Sequence, residues 1–160
     1  MAHVVSITIT PKGIERRPAD RFGRVSVDRA TLVANRGIAG DLHAKPGKRQ
    51  LNVMFAETIA QLRDEGFRTA PGELGEQLVL AGIDENAQAP GARLRLGESA
   101  VIELVMLRTG CERFSSIQGL PAKAAKSRIG YMARVIAGGE IAAGSTVDMV
   151  AAPAASGGAK

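Results

Sequence analysis

Arg93-Leu94-Arg95-Leu96-Gly97, followed from Ala100 by Ala-Val-Ile-Glu-Leu-Val-Met-Leu107, is the part of the sequence that most restricts the architecture. Strict alternation of charged and apolar residues is typical of a half-buried strand, and a continuous apolar run is typical of a fully buried one. The glycine between the two runs indicates a turn. The stretch therefore predicts the two strands of a hairpin.

Similar short runs lie on both sides of this hairpin. Strands or apolar strand-like runs are predicted at 4–10, 24–28, 30–34, 51–55, 78–80, 131–137 and 146–150. One clear helix is predicted at 56–65, and a helical turn or two at 121–126. Because strands rarely alternate with helices, a parallel α/β sheet is disfavoured. Many short strands must hide their edges, so we predict a mainly β fold, closed or nearly closed into a β-barrel with a few short helices.

Composition limits both the size of the protein and its class. The chain has 160 residues, 45% of them hydrophobic and 23% charged, which fits one globular domain. We assign that domain to residues 1–150 and expect the Ala/Gly/Ser/Pro-rich segment 151–160 to be disordered. No run approaches the length of a membrane span, and no secretory signal is recognisable. With Cys111 as the only cysteine, we expect a cytoplasmic protein.

Charge is distributed unevenly along the chain. The formal net charge of +5 combines an excess of Lys and Arg in residues 1–50 and 108–160 with an excess of Asp and Glu in residues 51–107. Such a basic surface favours anionic partners, although solubilising charge is the plain alternative. Aromatic residues make up only 3% of the chain, so the composition disfavours single-stranded nucleic-acid binding by stacking of bases on aromatic side chains.

Cys111 directly follows the longest apolar strand and lies in a glycine-containing turn between Arg108 and Arg113. Nearby positive charge favours the thiolate, which is both the nucleophile and the metal-ligating form. The alternative is that Cys111 is a small buried core residue. Asp41 and His43 lie in a second glycine-rich turn, where Asp41 could orient a ligand or cap backbone N–H groups. His43 could act as a base towards Cys111, as a ligand, or be merely exposed.

Basic side chains cluster after each of these turns. If both loops open at one barrel mouth, the cations would surround the thiol and bind phosphate. The candidates for such contacts are Arg128, Lys126, Arg113, Lys48, Arg49 and Arg108. Two His and one Cys do not supply a structural zinc site, and no Walker loop, dinucleotide fingerprint or serine-hydrolase elbow is present.

A series of ordered landmarks resembles the MOSC domain, found at the C-terminus of molybdenum-cofactor sulfurases and as stand-alone bacterial proteins. The landmarks are Gly37-Ile-Ala-Gly40-Asp41-Leu-His43, Pro71-Gly72-Glu-Leu-Gly75-Glu76-Gln77-Leu, Leu80-Ala-Gly82-Ile-Asp84, Gly91-Ala-Arg-Leu-Arg-Leu-Gly97, Cys111-Glu-Arg-Phe114, Arg128-Ile-Gly130, Ala133-Arg134-Val135 and Gly138-Gly139-Glu-Ile141. The family usually has Asn where this chain has Gln77, and Gly-Asp where it has Gly144-Ser145.

The resemblance implies a β-rich barrel whose cleft holds a molybdenum-pterin cofactor, with Cys111 either carrying sulfane sulfur or ligating the metal. Pyridoxal phosphate would then belong only to a partner, such as a cysteine desulfurase that donates the sulfur. Three functions remain open: a sulfur carrier or transferase acting through Cys111, a molybdenum-dependent reductase of N-hydroxylated compounds, and a non-catalytic anion- or nucleic-acid-binding barrel.

Overall fold

The computed structural model describes residues 1–153. Its strands are β1 (His3–Ile9), β2 (Val25–Val27), β3 (Arg29–Val33), β4 (Gly37–Ile38), β5 (Leu51–Phe55), β6 (Leu78–Ala81), β7 (Arg93–Leu96), β8 (Ala100–Leu107), β9 (Tyr131–Ala137), β10 (Gly139–Ala142) and β11 (Val147–Ala151). The α-helices are α1 (Ala56–Asp64) and α2 (Glu112–Gln118), and short 3₁₀ turns lie at Glu85–Ala87 and Ala122–Ala125. The prediction of a mainly β fold is confirmed.

The strands form two sheets. The larger has the order β11-β7-β8-β9-β5-β6-β1-β2, and the smaller has the order β10-β3-β4. The predicted hairpin is β7 and β8, which pair antiparallel from Arg93 opposite Glu103 to Leu96 opposite Ala100. One pair is parallel: β5 and β6, which are joined through α1. A parallel pair needs a crossover connection, and α1 provides it.

The closed barrel is not confirmed. In the described chain β11 and β2 are the two edges of the larger sheet. The strands β3, β4 and β10 pair with one another in the separate smaller sheet. The segments beside β1 and β11 meet at an isolated bridge between His3 and Thr146, and three backbone hydrogen bonds join residues 2–4 to residues 144–147. These contacts do not extend into a ladder between β1 and β11, so neither sheet is closed.

Strands β5 and β6 are buried on both faces because the core lies on either side of them. Val53 and Leu78 belong to the cluster between the sheets. Their chain neighbours Met54 and Val79 point the other way, into a second cluster with Phe114 beneath the helices. Strands covered on both faces need continuous apolar sequence, which explains the unbroken burial of β5. This packing fixes the strand ends that carry the site.

Helix α1 confirms the predicted helix, whereas α2 was missed. In α2 the buried residues are Phe114, Ile117 and Gln118, a spacing that follows one face of a helix. The segment has only seven residues, about two turns, and has a polar exposed face, so its pattern is weak. Gly119 ends it with φ +72°, a left-handed conformation that glycine adopts without strain.

The last strand ends close to the limit of the described residues. The segment 151–160, expected to be disordered, lies mostly outside the described residues, and Ala151 is the last residue of β11. Within residues 1–153, no helix combines the length and apolar character needed to cross a membrane.

The two leucines of β8 provide a test of this packing. Leu104 is fully buried, whereas Leu107 on the same strand is 42% exposed. We expect Leu104→Ala to lower the free energy of unfolding by about 2–5 kcal/mol, because it leaves a cavity in the core. Leu107→Ala should change it by about 0.5 kcal/mol or less. Equal losses in urea unfolding would contradict the assigned register.

Candidate functional site

A cleft of about 330 Å³ opens where several strand ends and loops meet. It is lined by Thr10, Arg16, Arg17, Phe22, Gly23, Arg24, His43, Arg49, Gln50, Leu51, Asn52, Gly75, Gln77, Arg108, Cys111, Arg113 and Met132. This lining contains six arginines, one thiol and one imidazole, and it contains no Asp or Glu. The site therefore presents uncompensated positive charge to any ligand that enters it.

Cys111 is the N-cap of α2 and has an extended backbone conformation. Its side chain is exposed and is not in a disulfide. The alternative of a buried core cysteine is therefore excluded by its position, although its chemical role stays a prediction. An exposed thiol in a cationic cleft can act as a nucleophile or as a soft metal ligand.

Three of the arginines are held by backbone carbonyl groups. Arg24 donates to the carbonyl oxygen of Gly75 at 2.8 Å. Arg108 donates to the carbonyl oxygen of Leu74. Arg113 reaches the loop that precedes β2 and donates to Pro18 O at 2.8 Å and Arg21 O at 3.0 Å. These neutral acceptors orient each guanidinium without cancelling its charge.

Arg108 is packed closely between aromatic rings and a glycine. Its guanidinium lies 5.8 Å from the ring centroid of Phe22 and 5.7 Å from that of Phe114. A Cβ on Gly75 would come within 2.6 Å of Arg108 Nη2, so glycine makes room for this guanidinium. Burial, together with repulsion from Arg24, lowers the pKa of Arg108 to about 10. Arg108 is still a cation at neutral pH.

The arginines outside the cleft behave differently. Six of them form ion pairs with carboxylates: Arg21, Arg68, Arg93, Arg95, Arg128 and Arg134. Among the described residues, no arginine of the cleft lies within ion-pair distance of an Asp or Glu oxygen. Arg29, Arg36 and Arg63, also outside the cleft, have no such ion pair among residues 1–153. The cleft is therefore marked by the convergence of six arginines that form no ion pair, which suits an anionic ligand.

A network of hydrogen bonds between buried polar groups lies directly behind the cleft lining. Asp41 is 5% exposed and accepts from the backbone N–H of Thr10 at 3.0 Å and from Gln77 Nε2 at 2.9 Å. Gln77 Oε1 in turn accepts from the backbone N–H of Asn52. Burial alone would raise the pKa of Asp41, but hydrogen bonds from His43, Gln77 and Thr10 lower it to about 2. Asp41 is therefore a fixed anion at neutral pH.

His43 joins this network to the arginines. Its Nδ1 lies 3.2 Å from Asp41 Oδ1 and 3.0 Å from Arg24 Nη1. Because a carboxylate only accepts and a guanidinium only donates, Nδ1 bonds one of them according to the ring tautomer. The imidazole of His43 is part-exposed, so a ligand in the cleft can contact it.

Glu76 is a second buried carboxylate behind the arginines. It is 2% exposed and accepts from the backbone N–H groups of Gly72 and Leu74. Burial raises the pKa of Glu76, and the opposing influences are these hydrogen bonds and the positive charge of Arg108. Its hydrogen bonds fix the 72–76 turn, whose carbonyl groups accept from Arg24 and Arg108. Glu76 itself does not line the cleft.

The structure brings five predicted site residues together at the cleft and places one directly behind it. The five that line it are Cys111, His43, Arg49, Arg108 and Arg113. Asp41 lies behind the lining, within hydrogen-bond distance of His43. The two loops that carry His43 and Cys111 therefore meet at one cleft. The chemical roles assigned to these residues stay predictions.

Three other predicted residues lie outside this lining. Arg128 donates from both terminal nitrogens to Glu65. Lys126 lies with Lys123 along a separate depression behind the Cys111 loop. Lys48 is exposed on its loop and does not line the cleft. Proximity to Cys111 or Asp41 in sequence does not show which way a side chain points.

The cleft also includes residues that were not selected from the sequence. Arg16 and Arg17 lie in an exposed loop, where three arginines within 16–21 were the available signal. Arg24 sits in an alternating strand pattern that gives no hint of function. Asn52 and Gln77 are buried amides, and only their tertiary neighbours reveal their role.

A protein-only metal site is not part of this cleft. Among residues 1–153, no group of three or more His, Cys, Asp or Glu side chains is arranged to hold a metal ion. A metal bound through Cys111 would therefore need further ligands from a cofactor or from solvent.

The fold and the cleft define a MOSC-type domain, and the sequence profile of the MOSC domain matches residues 27–148. The chain belongs to the MOSC domain family. The family is linked to binding of the molybdenum cofactor and to molybdenum-cofactor sulfurases. No curated protein matches the sequence.

Solved structures show the same fold. YiiM from Geobacillus stearothermophilus superposes with a TM-score of 0.72 at 21% identity, covering 94% of this chain and 76% of that one. YiiM from Escherichia coli gives 0.70 at 21% identity, covering 97% and 72%. The YUAD protein from Bacillus subtilis gives 0.68 at 14% identity, covering 92% and 94%.

The buried Asp41 predicts a measurable dependence of stability on pH. Its pKa in the folded protein, about 2, lies below the ordinary value of 3.8, so its ionised form stabilises the fold above about pH 4. This stabilisation, of about 2 kcal/mol, is lost as the pH falls from about 4 towards 2. Asp41→Asn should be less stable at pH 7, and the gap should narrow in acid.

Urea unfolding of both proteins from pH 7 to pH 3 measures that gap. The matched control is Asp64→Asn, because Asp64 is exposed at the end of α1. A gap that is constant across the pH range, or one that also appears with the control, would contradict the assigned role of Asp41.

Proposed function

We propose that this MOSC domain binds the phosphate-bearing molybdenum-pterin cofactor in the arginine-lined cleft and carries sulfur on Cys111. The observation that supports it is the exposed thiol in a lining of six arginines without a carboxylate. Arginine grips phosphate through planar, bidentate contacts, and a thiolate is a soft donor that suits sulfur transfer and thiophilic metals.

The donor set of the cleft fits this cofactor. Arg24, Arg108 and Arg113 are pre-oriented and not neutralised, while Arg16, Arg17 and Arg49 extend from exposed loops. Cys111 offers one metal ligand or one sulfur carrier. When bound, the cofactor would supply a thiophilic, redox-active metal beside a phosphate. Assignment of Arg128, Lys126 and Lys48 as further phosphate contacts stays a prediction.

Sulfur loading of Cys111 needs no net oxidation. The Cys111 thiolate attacks the outer sulfur of a persulfide on a donor protein, the donor S–S bond breaks, and the donor cysteine leaves as a thiolate. A cysteine desulfurase is the proposed donor, and any pyridoxal phosphate would be bound by that partner.

A second candidate is a molybdenum-dependent reductase of N-hydroxylated compounds. The observation that favours it is the His43–Asp41 pair, since N–O cleavage consumes protons and electrons and releases water. In that function Cys111 would be a permanent metal ligand. The third candidate, a non-catalytic anion-binding domain, needs the arginines but not the thiol.

Mass spectrometry tests the sulfur-carrier proposal. After incubation with a cysteine desulfurase and cysteine, we expect the chain to gain one sulfur atom on Cys111, and Cys111→Ser to gain none. Molybdenum analysis of protein from a cofactor-producing host is run in parallel. Stoichiometric molybdenum without a persulfide would favour the reductase, whereas neither signal, with intact anion binding, would favour the non-catalytic domain.

Anion binding is tested with glycerol phosphate by calorimetric titration. We expect Arg49→Gln to weaken binding about tenfold, because a charge-assisted contact is lost, and to reduce the salt dependence. Arg95→Gln is the matched control, since Arg95 pairs with Asp148 on the surface outside the cleft. Equal effects of the two substitutions would argue against the cleft as the phosphate site.

A further inference from the structure

The amide side chains that line the cleft are not equivalent. Both ends of Gln50 are used: Nε2 donates to Asn35 Oδ1 and Gly47 O, and Oε1 accepts from the backbone N–H of Val135. Both ends of Gln77 are likewise used, by Asn52 N and Asp41 Oδ2. These two amides hold the scaffold and have little left to offer a ligand.

Asn52 differs from both. It is 4% exposed, and its Oδ1 is fully buried with no hydrogen-bond partner among residues 1–153. Its backbone is fixed on β5 by Gln77, which accepts from its N–H and donates to its carbonyl oxygen. Buried polar atoms are nearly always hydrogen-bonded, so an acceptor left open beside a cleft points to a partner supplied by a ligand.

A complementary donor is open at the same cleft. Arg24 uses its terminal nitrogens for Thr10, His43 and Gly75, but its Nε is buried and has no partner in the described chain. The cleft thus has one unpaired acceptor and one unpaired donor besides its loop arginines. A phosphate can use donors only, because it is itself an acceptor. Asn52 Oδ1 is an acceptor, so it needs a hydrogen-bond donor from a different part of the ligand, one that carries an N–H group.

We propose that Asn52 recognises the N–H edge of a nitrogen heterocycle, so that the cleft selects a phosphorylated pterin over a simple phosphate ester. The proposal rests on the proposed function and specifies how that site distinguishes its ligand. A pterin ring carries amino and lactam N–H donors next to acceptors, and an asparagine amide pairs with such edges. The ring edge would satisfy Asn52 Oδ1, while the phosphate would meet the arginines.

The test compares two probes, hydroxymethylpterin phosphate and glycerol phosphate, by calorimetric titration. The wild type should bind the pterin probe more tightly. In Asn52→Leu, which keeps the approximate volume and removes the acceptor, affinity for the pterin probe should fall about tenfold, and affinity for glycerol phosphate should stay unchanged. Asn86→Leu is the matched control, because Asn86 is exposed in a 3₁₀ turn outside the cleft.

A stability measurement distinguishes recognition from a structural role. Removing a buried acceptor that has no partner should leave the Tm of Asn52→Leu equal to or above that of the wild type. If this variant fails to fold, Asn52→Val, which suits a strand, takes its place with the same expected result. A folded variant that keeps full preference for the pterin probe would overturn the inference.

The outcomes also separate this inference from the proposed function. Wild-type protein that binds both probes equally would overturn the role of Asn52 while leaving the anion-binding cleft intact. Wild-type protein that binds neither probe would overturn the cofactor site, and with it the inference.

Discussion

Guanidinium groups held by backbone carbonyl oxygens are the interaction on which the site depends. Arg24, Arg108 and Arg113 are oriented by neutral acceptors, so each is fixed in direction yet retains its charge. Had carboxylates held them, as Glu65 holds Arg128, the charges would be cancelled and the cleft would have little attraction for an anion. Burying and crowding cations in this way is costly, since burial and, after it, repulsion from Arg24 lower the pKa of Arg108.

Two buried carboxyl groups behind the cleft offset part of the electrostatic cost of bringing the arginines together. Asp41 and Glu76 are buried carboxyl groups near the arginines, and both oxygens of each accept hydrogen bonds from the protein. They lower the electrostatic energy of the guanidinium groups without being available to pair with them at the surface. Gln77 ties this layer to β5, because it bonds both Asp41 and the backbone of Asn52. The two side-chain hydrogen bonds of Gln77 span the gap between Asp41 and β5.

Prediction from sequence succeeded where the signal is local. The β7–β8 hairpin, α1 and the exposed turn at Cys111 follow from alternation, spacing and glycine placement within a few residues. Of the cations predicted to contact phosphate, Arg49, Arg108 and Arg113 line the cleft, and three arginines that were not selected, Arg16, Arg17 and Arg24, line it as well. Charge clustering shows which loops are basic. It does not show which cations find a carboxylate elsewhere in the fold, as Arg128 does with Glu65 sixty-three positions away.

Apolar alternation and residue type established that this chain is mainly β, that one thiol stands at a strand end, and that cations are concentrated around it. These are properties of short segments, set by steric preference and by transfer of apolar side chains from water. Whether the sheet closes, the formation of the second sheet, and which buried polar groups find a partner were decided only when distant segments met. Asn52 illustrates the difference: within Leu51–Phe55 it is an ordinary polar residue in a strand, and only the tertiary structure leaves its side-chain oxygen buried at the cleft without a partner among residues 1–153.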